Sequence, residues 1–424
     1  MATGIPSPKQ FNDNLDFEIS YKNKEPKDKV LKTSNDVDII NLFNCGEEST
    51  NAIYYGDNLD VLKELMKNPS VKGKVKLIYI DPPYAKQQKF SSRSQEHAYD
   101  DVLVGARYLE FMRQRLIVMR ELLAPDGSIY VHLDETMAFP MKLIMDEVFG
   151  AKNFRNWITR KKSNPKNSTS KKFGSISDYI LFYTKTSKYV FNKPYTPWTK
   201  ELGEKEYNYT EKATGRRYKK VPIHAPGIRN GETGKEWRGM LPPKGKHWQY
   251  TPSKLDEMDE RGEIFWSKNG NPRRKIYLDQ SPGIAFQDIW LEYKDAHNQN
   301  IEITGYPTEK NLSMLELIVK TATNEGDIVL DAFAGSGTSL VAAENLNRHW
   351  IGVDNSKLAI TTMLKRLSHG SEKMGDFVMK NNEVSKQEAF VLTTESKKNF
   401  SFYVTNQIFD SPLDLIELKE ILNV

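Results

Sequence analysis

The sequence predicts an α/β protein: an open, mostly parallel sheet with helices on both faces, interrupted by a basic, mostly β and irregular insert. Three observations carry this. First, Lys76-Leu77-Ile78-Tyr79-Ile80 is a short apolar, β-branched run that reads as a buried strand, and it stops at Asp81-Pro82-Pro83-Tyr84. Second, residues 327–354 read as strand, glycine-bearing turn, helix, strand and terminal acid. Third, residues 155–300 lose that rhythm and become rich in Lys, Arg, Tyr, Trp, Pro and Gly.

The elements follow in order. Residues 1–45 form an N-terminal arm, with one short helix or strand at 37–42. A catalytic half spans 46–154. Within it, Ile53-Tyr54-Tyr55-Gly56-Asp57 is a strand entering an acidic turn, and Leu59, Val61, Leu62 and Leu65 have helical spacing. Residues 85–101 are polar and aperiodic, and a loop of that length is commonly functional or disordered. Leu109, Met112, Leu116, Met119 and Leu123 mark an amphipathic helix, which Pro125-Asp126-Gly127 stops ahead of a strand at 128–133. His132 in that strand reads as a packed core histidine. A further helix covers 139–149. The insert runs 155–300, with a strand at 179–183; the second half, 301–370, holds a helix through Leu312, Leu315, Ile318 and Val319 and then the glycine-turn unit. The tail, 371–424, carries strand-like runs at 390–392 and 400–404 and a last helix at 413–422.

Composition narrows the function. Cys45 is the only cysteine, which excludes an internal disulfide and a thiolate metal cluster, and the seven histidines are scattered. No metal is expected. No apolar run approaches the ~18 residues of a membrane span, and the start lacks a signal pattern, so a cytoplasmic protein without membrane association is expected. The net charge of +5 is unevenly spread, with about +14 in residues 151–300 and about −9 elsewhere. Basic clusters interleaved with Trp237, Trp248 and Trp266 suggest a nucleic acid. A solvated basic face is the alternative.

The tip at Asp81 suggests particular chemistry. Each proline holds the residue before it extended, just past the carboxyl end of a strand, where open α/β sheets bind ligands. A carboxylate and a backbone carbonyl can accept both hydrogens of an exocyclic amine, and an aromatic can stack on its ring. Two acceptors on an aryl amine favour a pyramidal nitrogen and stabilise the charge that grows as it attacks. This describes alkylation of a nucleobase amine. A plain strand-ending turn is the structural alternative.

The second motif, Asp331-Ala332-Phe333-Ala334-Gly335-Ser336-Gly337-Thr338, lets backbone approach a nucleoside closely. Asp354 ends the next strand 23 positions after Asp331, near the ~20-residue spacing at which dinucleotide folds place a ribose-binding acid. A nicotinamide cofactor fits less well, because Leu340 stands where a third glycine would be and Asp331 would repel a pyrophosphate. An acidic strand end suits the ammonium and sulfonium of S-adenosylmethionine.

Together the two motifs resemble the β-class DNA adenine-N6 methyltransferases, the modification subunits of type III and some type II restriction systems, over residues 50–185 and 300–367. The resemblance implies a Rossmann-like methyltransferase sheet in circular order, with the catalytic motif before the cofactor motif. It implies that Asp81 and the carbonyl of Pro82 hold the amine, with Pro83 stiffening the tip and Tyr84 stacking on a flipped adenine. Asp57, Asp81, Thr308, Lys310, Asp331, Phe333, Gly335, Ser336, Gly337, Thr338 and Asp354 would bind S-adenosylmethionine. Asn311 stands where the family usually has proline after the lysine. The insert resembles a target recognition domain on double-stranded DNA, with Arg160, Lys161, Lys162, Lys171, Lys172, Arg216, Arg217, Arg273 and Arg274 as contacts, helped by Lys86, Lys89 and Arg93 of the loop. A homodimer and a restriction subunit are the expected partners. Cytosine-N4 methylation is the near alternative, since related enzymes more often carry serine at the position of Asp81. A nicotinamide-dependent oxidoreductase is the distant one.

Overall fold

The computed structural model describes residues 19–32, 37–46, 49–83, 105–165, 171–295, 310–369 and 399–408. The chain divides into two compact units: residues 1–192 with 287–424, and residues 193–286.

The first unit begins with α1 (Lys27–Lys32), β1 (Ile39–Cys45), β2 (Ala52–Tyr55), α2 (Asn58–Leu65), β3 (Val75–Ile80), α3 (Ala106–Leu122), β4 (Leu123–Leu133), α4 (Ala138–Phe149), β5 (Phe154–Lys161) and β6 (Ser177–Thr184). The second contains β7 (Tyr195–Thr196), α5 (Lys200–Glu206), β8 (Tyr209–Thr210), β9 (Arg217–Pro222), β10 (His224–Pro226), β11 (Lys246–Trp248), α6 (Pro252–Glu260), β12 (Ile264–Trp266), β13 (Pro272–Tyr277) and β14 (Ile284–Ala285). The first unit resumes with β15 (Ile289–Trp290), α7 (Leu312–Ala322), β16 (Ile328–Asp331), α8 (Thr338–Asn345), β17 (His349–Asp354), α9 (Lys357–His369) and β18 (Phe400–Thr405).

Ten strands make one sheet in the order β1-β18-β2-β17-β16-β3-β4-β6-β5-β15. Its centre is parallel: β2 with β17, β17 with β16, β16 with β3 and β3 with β4. From β16 the chain crosses through α8 to β17 on one side; from β3 it crosses through α3 to β4 on the other. The order therefore reverses between β16 and β3. That is the switch point at which open α/β sheets form a crevice.

The apolar periods explain the layers. Val61, Leu62 and Leu65 of α2, Met112, Leu116 and Met119 of α3, and Met141, Ile144 and Met145 of α4 bury against Ile78, Ile80, Ile129, Val131, Leu330 and Val353. Leu77 and Val329 are equally buried but lie outside that cluster, and α7 and α8 contact β3 and β16. Helices thus cover both faces, and each fully buried aliphatic side chain contributes roughly 1.5–3 kcal/mol.

Three boundaries differ from the sequence-based expectation. The insert is 193–286, not 155–300, because β5 and β6 pair antiparallel with the main sheet. Pro125-Asp126-Gly127 lies inside β4 as a bulge, with Val75 opposite Leu123 and Leu77 opposite Ser128. The arm and the tail also enter the sheet, since β18 pairs parallel with β2 and antiparallel with β1. The expected runs at 390–392 and 413–422 lie outside the described residues. No described helix is long and apolar enough to cross a membrane.

Candidate active site at the switch point

β3 and β16 run side by side, with Leu77 opposite Val329 and Ile78 opposite Leu330. Asp331 ends β16, and Asp81 follows β3 immediately. The two acids therefore stand at the same end of adjacent central strands. Each raises the electrostatic cost of ionising its neighbours. Asp331 is pushed up to about 7, first by burial and further by Asp81 and Asp354, although hydrogen bonds from Ser339 and the Phe333 N–H oppose the shift. Oδ1 of Asp331 accepts from Phe333 N at 3.0 Å, and Oδ2 accepts from Ser339 Oγ. It has no ion pair among the described residues.

Asp81 has a cationic partner. Lys310 Nζ lies 2.9 Å from its Oδ2, and both side chains are mostly buried. Lys310 is placed by the residue after it. Asn311 caps α7, its Oδ1 accepting from Met314 N at 3.1 Å, and its amide donates to Lys294 O at 3.1 Å. That gives Asn311 a local role: proline there could supply neither bond. Pro82 is buried and Pro83 exposed; Tyr84, Lys86, Lys89, Arg93 and Thr308 lie outside the described residues.

Beneath the tip runs a buried polar chain. Tyr79 Oη and His132 Nδ1 are 2.9 Å apart, and His132 Nε2 is 3.3 Å from Asp178 Oδ2. Asp178 also holds Arg160 at 3.2 Å and Lys162 at 2.9 Å. Burial lowers the His132 pKa, and the charge of Lys310 lowers it further. Burial would raise the Asp178 pKa, but bonds from His132 and Lys162 and nearby positive charge hold it well below the carboxylate range. The chain ties β3, β4, β6 and β5 together behind Asp81.

This corrects two expected DNA contacts. Arg160 is fully buried and donates to Asp178, to Asp295 at 2.7 Å and to Tyr293 O at 2.6 Å. Lys162 is ion-paired to Asp178 in the same network. Both sit on or beside β5, an interior strand, where a cation must be paired. Lys161 is partly exposed, and Lys171 and Lys172 are exposed. In the second unit Arg216 pairs with Asp279 at 2.7 Å, Arg217 with Glu204 at 3.2 Å, and Arg274 donates to Tyr250 Oη at 2.5 Å. Trp237 and Trp248, which interleave with the basic clusters in sequence, form that unit's core with Ile223, Leu255, Met258 and Ile264.

The glycine turn links β16 to α8. Gly337 is left-handed at φ +73°, and a Cβ there would sit 2.9 Å from Met363 Cγ. Asp354 Oδ2 accepts from Gly335 N at 2.9 Å, and Oδ1 accepts from Ser356 N at 2.9 Å. Asp354 thus shapes the turn, with the backbone of Asn355 as a third donor, and its two oxygens retain acceptor capacity for a ligand. Burial raises its pKa. The close packing that a third glycine would supply comes from the strand instead: a Cβ on Gly352 would lie 2.5 Å from Leu340 Cδ1. Leu340 is therefore accommodated.

Several residues at this site carried no recognised signal. Asn58 donates to Ala332 O at 2.7 Å and accepts from Arg115, and Arg115 Nη2 also holds Asp57 at 2.8 Å. Asp57 in turn caps α2 through Leu59 N at 2.8 Å. The Arg115 guanidinium lies 3.4 Å from the Phe111 ring centroid, and Phe111 is 6.2 Å from Phe333. Arg366 donates to Thr338 Oγ1 at 2.8 Å and Ser336 O at 3.3 Å. None belongs to either sequence motif; each is brought in by packing across elements. Among the described residues no group of three or more His, Cys, Asp and Glu side chains could hold a metal.

The DNA methylase family profile matches residues 75–365. The type II methyltransferase M.EcaI of Enterobacter cloacae is 51% identical over 357 residues, covering 84% of this chain and 77% of its own length. The type III restriction-modification enzyme StyLTI Mod subunit of Salmonella typhimurium is 29% identical over 336 residues, covering 71% of this chain; the match spans about half of that relative, 51%. Among solved structures, the M1.HpyAVI–SAM complex aligns at a TM-score of 0.41 and 20% identity, covering 74% of this chain and 98% of its own.

Proposed function

The chain belongs to the DNA methylase family, and from that premise we propose that it methylates N6 of an adenine flipped out of duplex DNA, using S-adenosylmethionine, as the modification activity of a restriction-modification system. The observation that carries this reading is the pairing of Asp81 and Asp331 at adjoining strand ends on either side of the switch point.

The residues present fit the cofactor. Asp331 is a buried carboxylate with no ion pair among the described residues and a pKa raised to about 7, a place where an ammonium relieves the cost of ionisation. Gly335 and Gly337 would admit the nucleoside to the backbone, Phe333 and Asp57 would line it, and Asp354 would accept its ribose hydroxyls. Ser336 and Thr338 stiffen the turn through their mutual contact at 3.1 Å and through Arg366. When bound, the cofactor supplies an electrophilic methyl carbon on a sulfonium.

The chain's own residues do the rest. Flipping is required because the amine is otherwise inside the base pair. Asp81 and the Pro82 carbonyl would accept the two N–H groups, drawing the nitrogen lone pair out of the ring, and Tyr84 would stack on the base. Asp81 and the Pro82 carbonyl would hold the amine in line with the methyl carbon that the cofactor would supply, and the surplus amine proton would leave past Asp81 to water. Lys310 holds Oδ2 of Asp81 in place. Positioning carries most of the barrier reduction. An acid at position 81, where cytosine-N4 enzymes more often have serine, favours adenine.

The test is methylation of unmodified duplex DNA with labelled cofactor, followed by mass spectrometry of the nucleosides. N6-methyladenine is expected. N4-methylcytosine would refute the choice of base while leaving amine methylation standing. Asp81→Ala is expected to abolish transfer with DNA binding retained, and full activity in that variant would end the mechanistic reading.

A further inference from the structure

The second unit carries 19 basic and 12 acidic residues, a net charge of +7, and its four-stranded sheet, β12-β13-β9-β8, shows where some of that charge is spent. On the strands of this sheet, Arg217 is paired with Glu204, Lys219 with Glu206 at 2.7 Å, Lys275 with Glu211 at 2.7 Å, and Arg274 bonds Tyr250. Two cations are treated differently. Lys220 and Arg273 have no carboxylate partner among the described residues.

Strand register puts these two on the same face. Lys275 is opposite Lys220, and Arg273 lies two residues from Lys275 along β13, opposite both Pro222 and Phe265. Side chains directly opposite in an antiparallel pair share a face. Lys220 Nζ lies between two rings, 3.6 Å from the Tyr209 centroid and 3.5 Å from that of Phe265. The row across the sheet is thus tyrosine, lysine, phenylalanine, with an exposed arginine beside it. Desolvation by these neighbours and the charge of Arg273 both lower the Lys220 pKa, so an anion close by would be favoured by both cations. An open cavity of about 610 Å³ is lined by Tyr209, Lys220, Phe265 and Arg273, and also by Glu206, whose charge is met by Lys219.

We propose that this face is a backbone clamp for DNA, in which Lys220 and Arg273 together grip one phosphodiester while the rings of Tyr209 and Phe265 hold the lysine in place. The clamp rests on the reading of this chain as a DNA methyltransferase and names where the second unit meets its substrate. A fixed lysine and an arginine that needs no internal partner suit a phosphate, which is recognised by charge and carries no sequence information. The ion-paired cations Arg216, Arg217 and Lys219 suit that role less well, because each would first have to leave a carboxylate.

The test is equilibrium DNA binding across a salt series, with the full chain, cognate duplex and non-cognate duplex of equal length. Lys220→Gln and Arg273→Gln are each expected to weaken binding to both duplexes on the order of tenfold and to lower the slope of log affinity against log salt by about 0.9, the value for one phosphate contact. Because one phosphate is shared, the double variant is expected to lose no further unit of slope. Lys200→Gln, which removes an exposed lysine on α5, is the control and leaves the slope unchanged. A slope unchanged by both substitutions, an equal fall in the control, or a loss confined to the cognate duplex would each overturn the clamp. Failure of the unsubstituted chain to bind or methylate DNA would instead sink the functional reading on which it rests.

Discussion

Replacing Asp331 by asparagine should make the cofactor-free protein more stable while weakening cofactor binding. The sign follows from proton linkage. The folded pKa of about 7 lies above the ordinary 3.8, so between those values the folded chain keeps a proton that the unfolded chain has lost. Stability therefore falls as pH rises through that window and levels off above it. Three units at about 1.4 kcal/mol each give an ionisation penalty of roughly 4 kcal/mol above pH 7, and under about 2 kcal/mol at pH 5. Asparagine has the same shape; its oxygen can still accept from Phe333 N, and its amide can donate to Ser339 Oγ once that hydroxyl turns its own hydrogen elsewhere, a cost smaller than that of the buried charge. Asp331→Asn should then melt a few degrees above the unsubstituted chain at pH 8, with the gap narrowing at pH 5. Calorimetric titration should show cofactor affinity rising between pH 5.5 and 7 in the unsubstituted chain, as the carboxylate ionises, and lower and flat in the variant. A variant that melts no higher at pH 8, or that binds cofactor with the same pH dependence, would refute the account of Asp331 as a penalised carboxylate awaiting a cation.

Lys310→Met removes the 2.9 Å partner of Asp81 and should lower kcat for methyl transfer about tenfold or more, at unchanged DNA affinity; an unchanged kcat would show that the ion pair is idle. Arg160→Met leaves Asp178 short of a buried partner and should cost about 3–5 kcal/mol in denaturant unfolding without altering the salt slope of DNA binding, whereas a changed slope with full stability would restore it as a DNA contact. Gly337→Ala combines a left-handed backbone with a Cβ 2.9 Å from Met363 and should destabilise by about 1–2 kcal/mol, read by thermal melting.

Both motifs were legible because each is local. An apolar run capped by Asp81-Pro82-Pro83, or a glycine turn between Asp331 and Thr338, is dictated by residues adjacent in the chain, whose backbone preferences act wherever the segment sits. The two strands, their helices and the buried His132 follow from the same short-range periods. Asn311, the departure from the family pattern, also has a local explanation as the cap of α7.

What periodicity could not decide was partnership. β5 and β6 are indistinguishable in pattern from strands of an insert, and only pairing with β4 assigns them to the main sheet. A basic residue reads the same whether it faces DNA or a carboxylate: Arg160 lies 18 residues from Asp178 and 135 from Asp295, and only the fold brings all three together. Trp237 and Trp248 stand among basic clusters in the sequence, and only the fold makes them a core. Local sequence chooses backbone shape, since φ/ψ preferences and apolar spacing are properties of neighbouring residues. The state of a charge or a ring depends on groups far along the chain, so it was set only when the sheet closed around them.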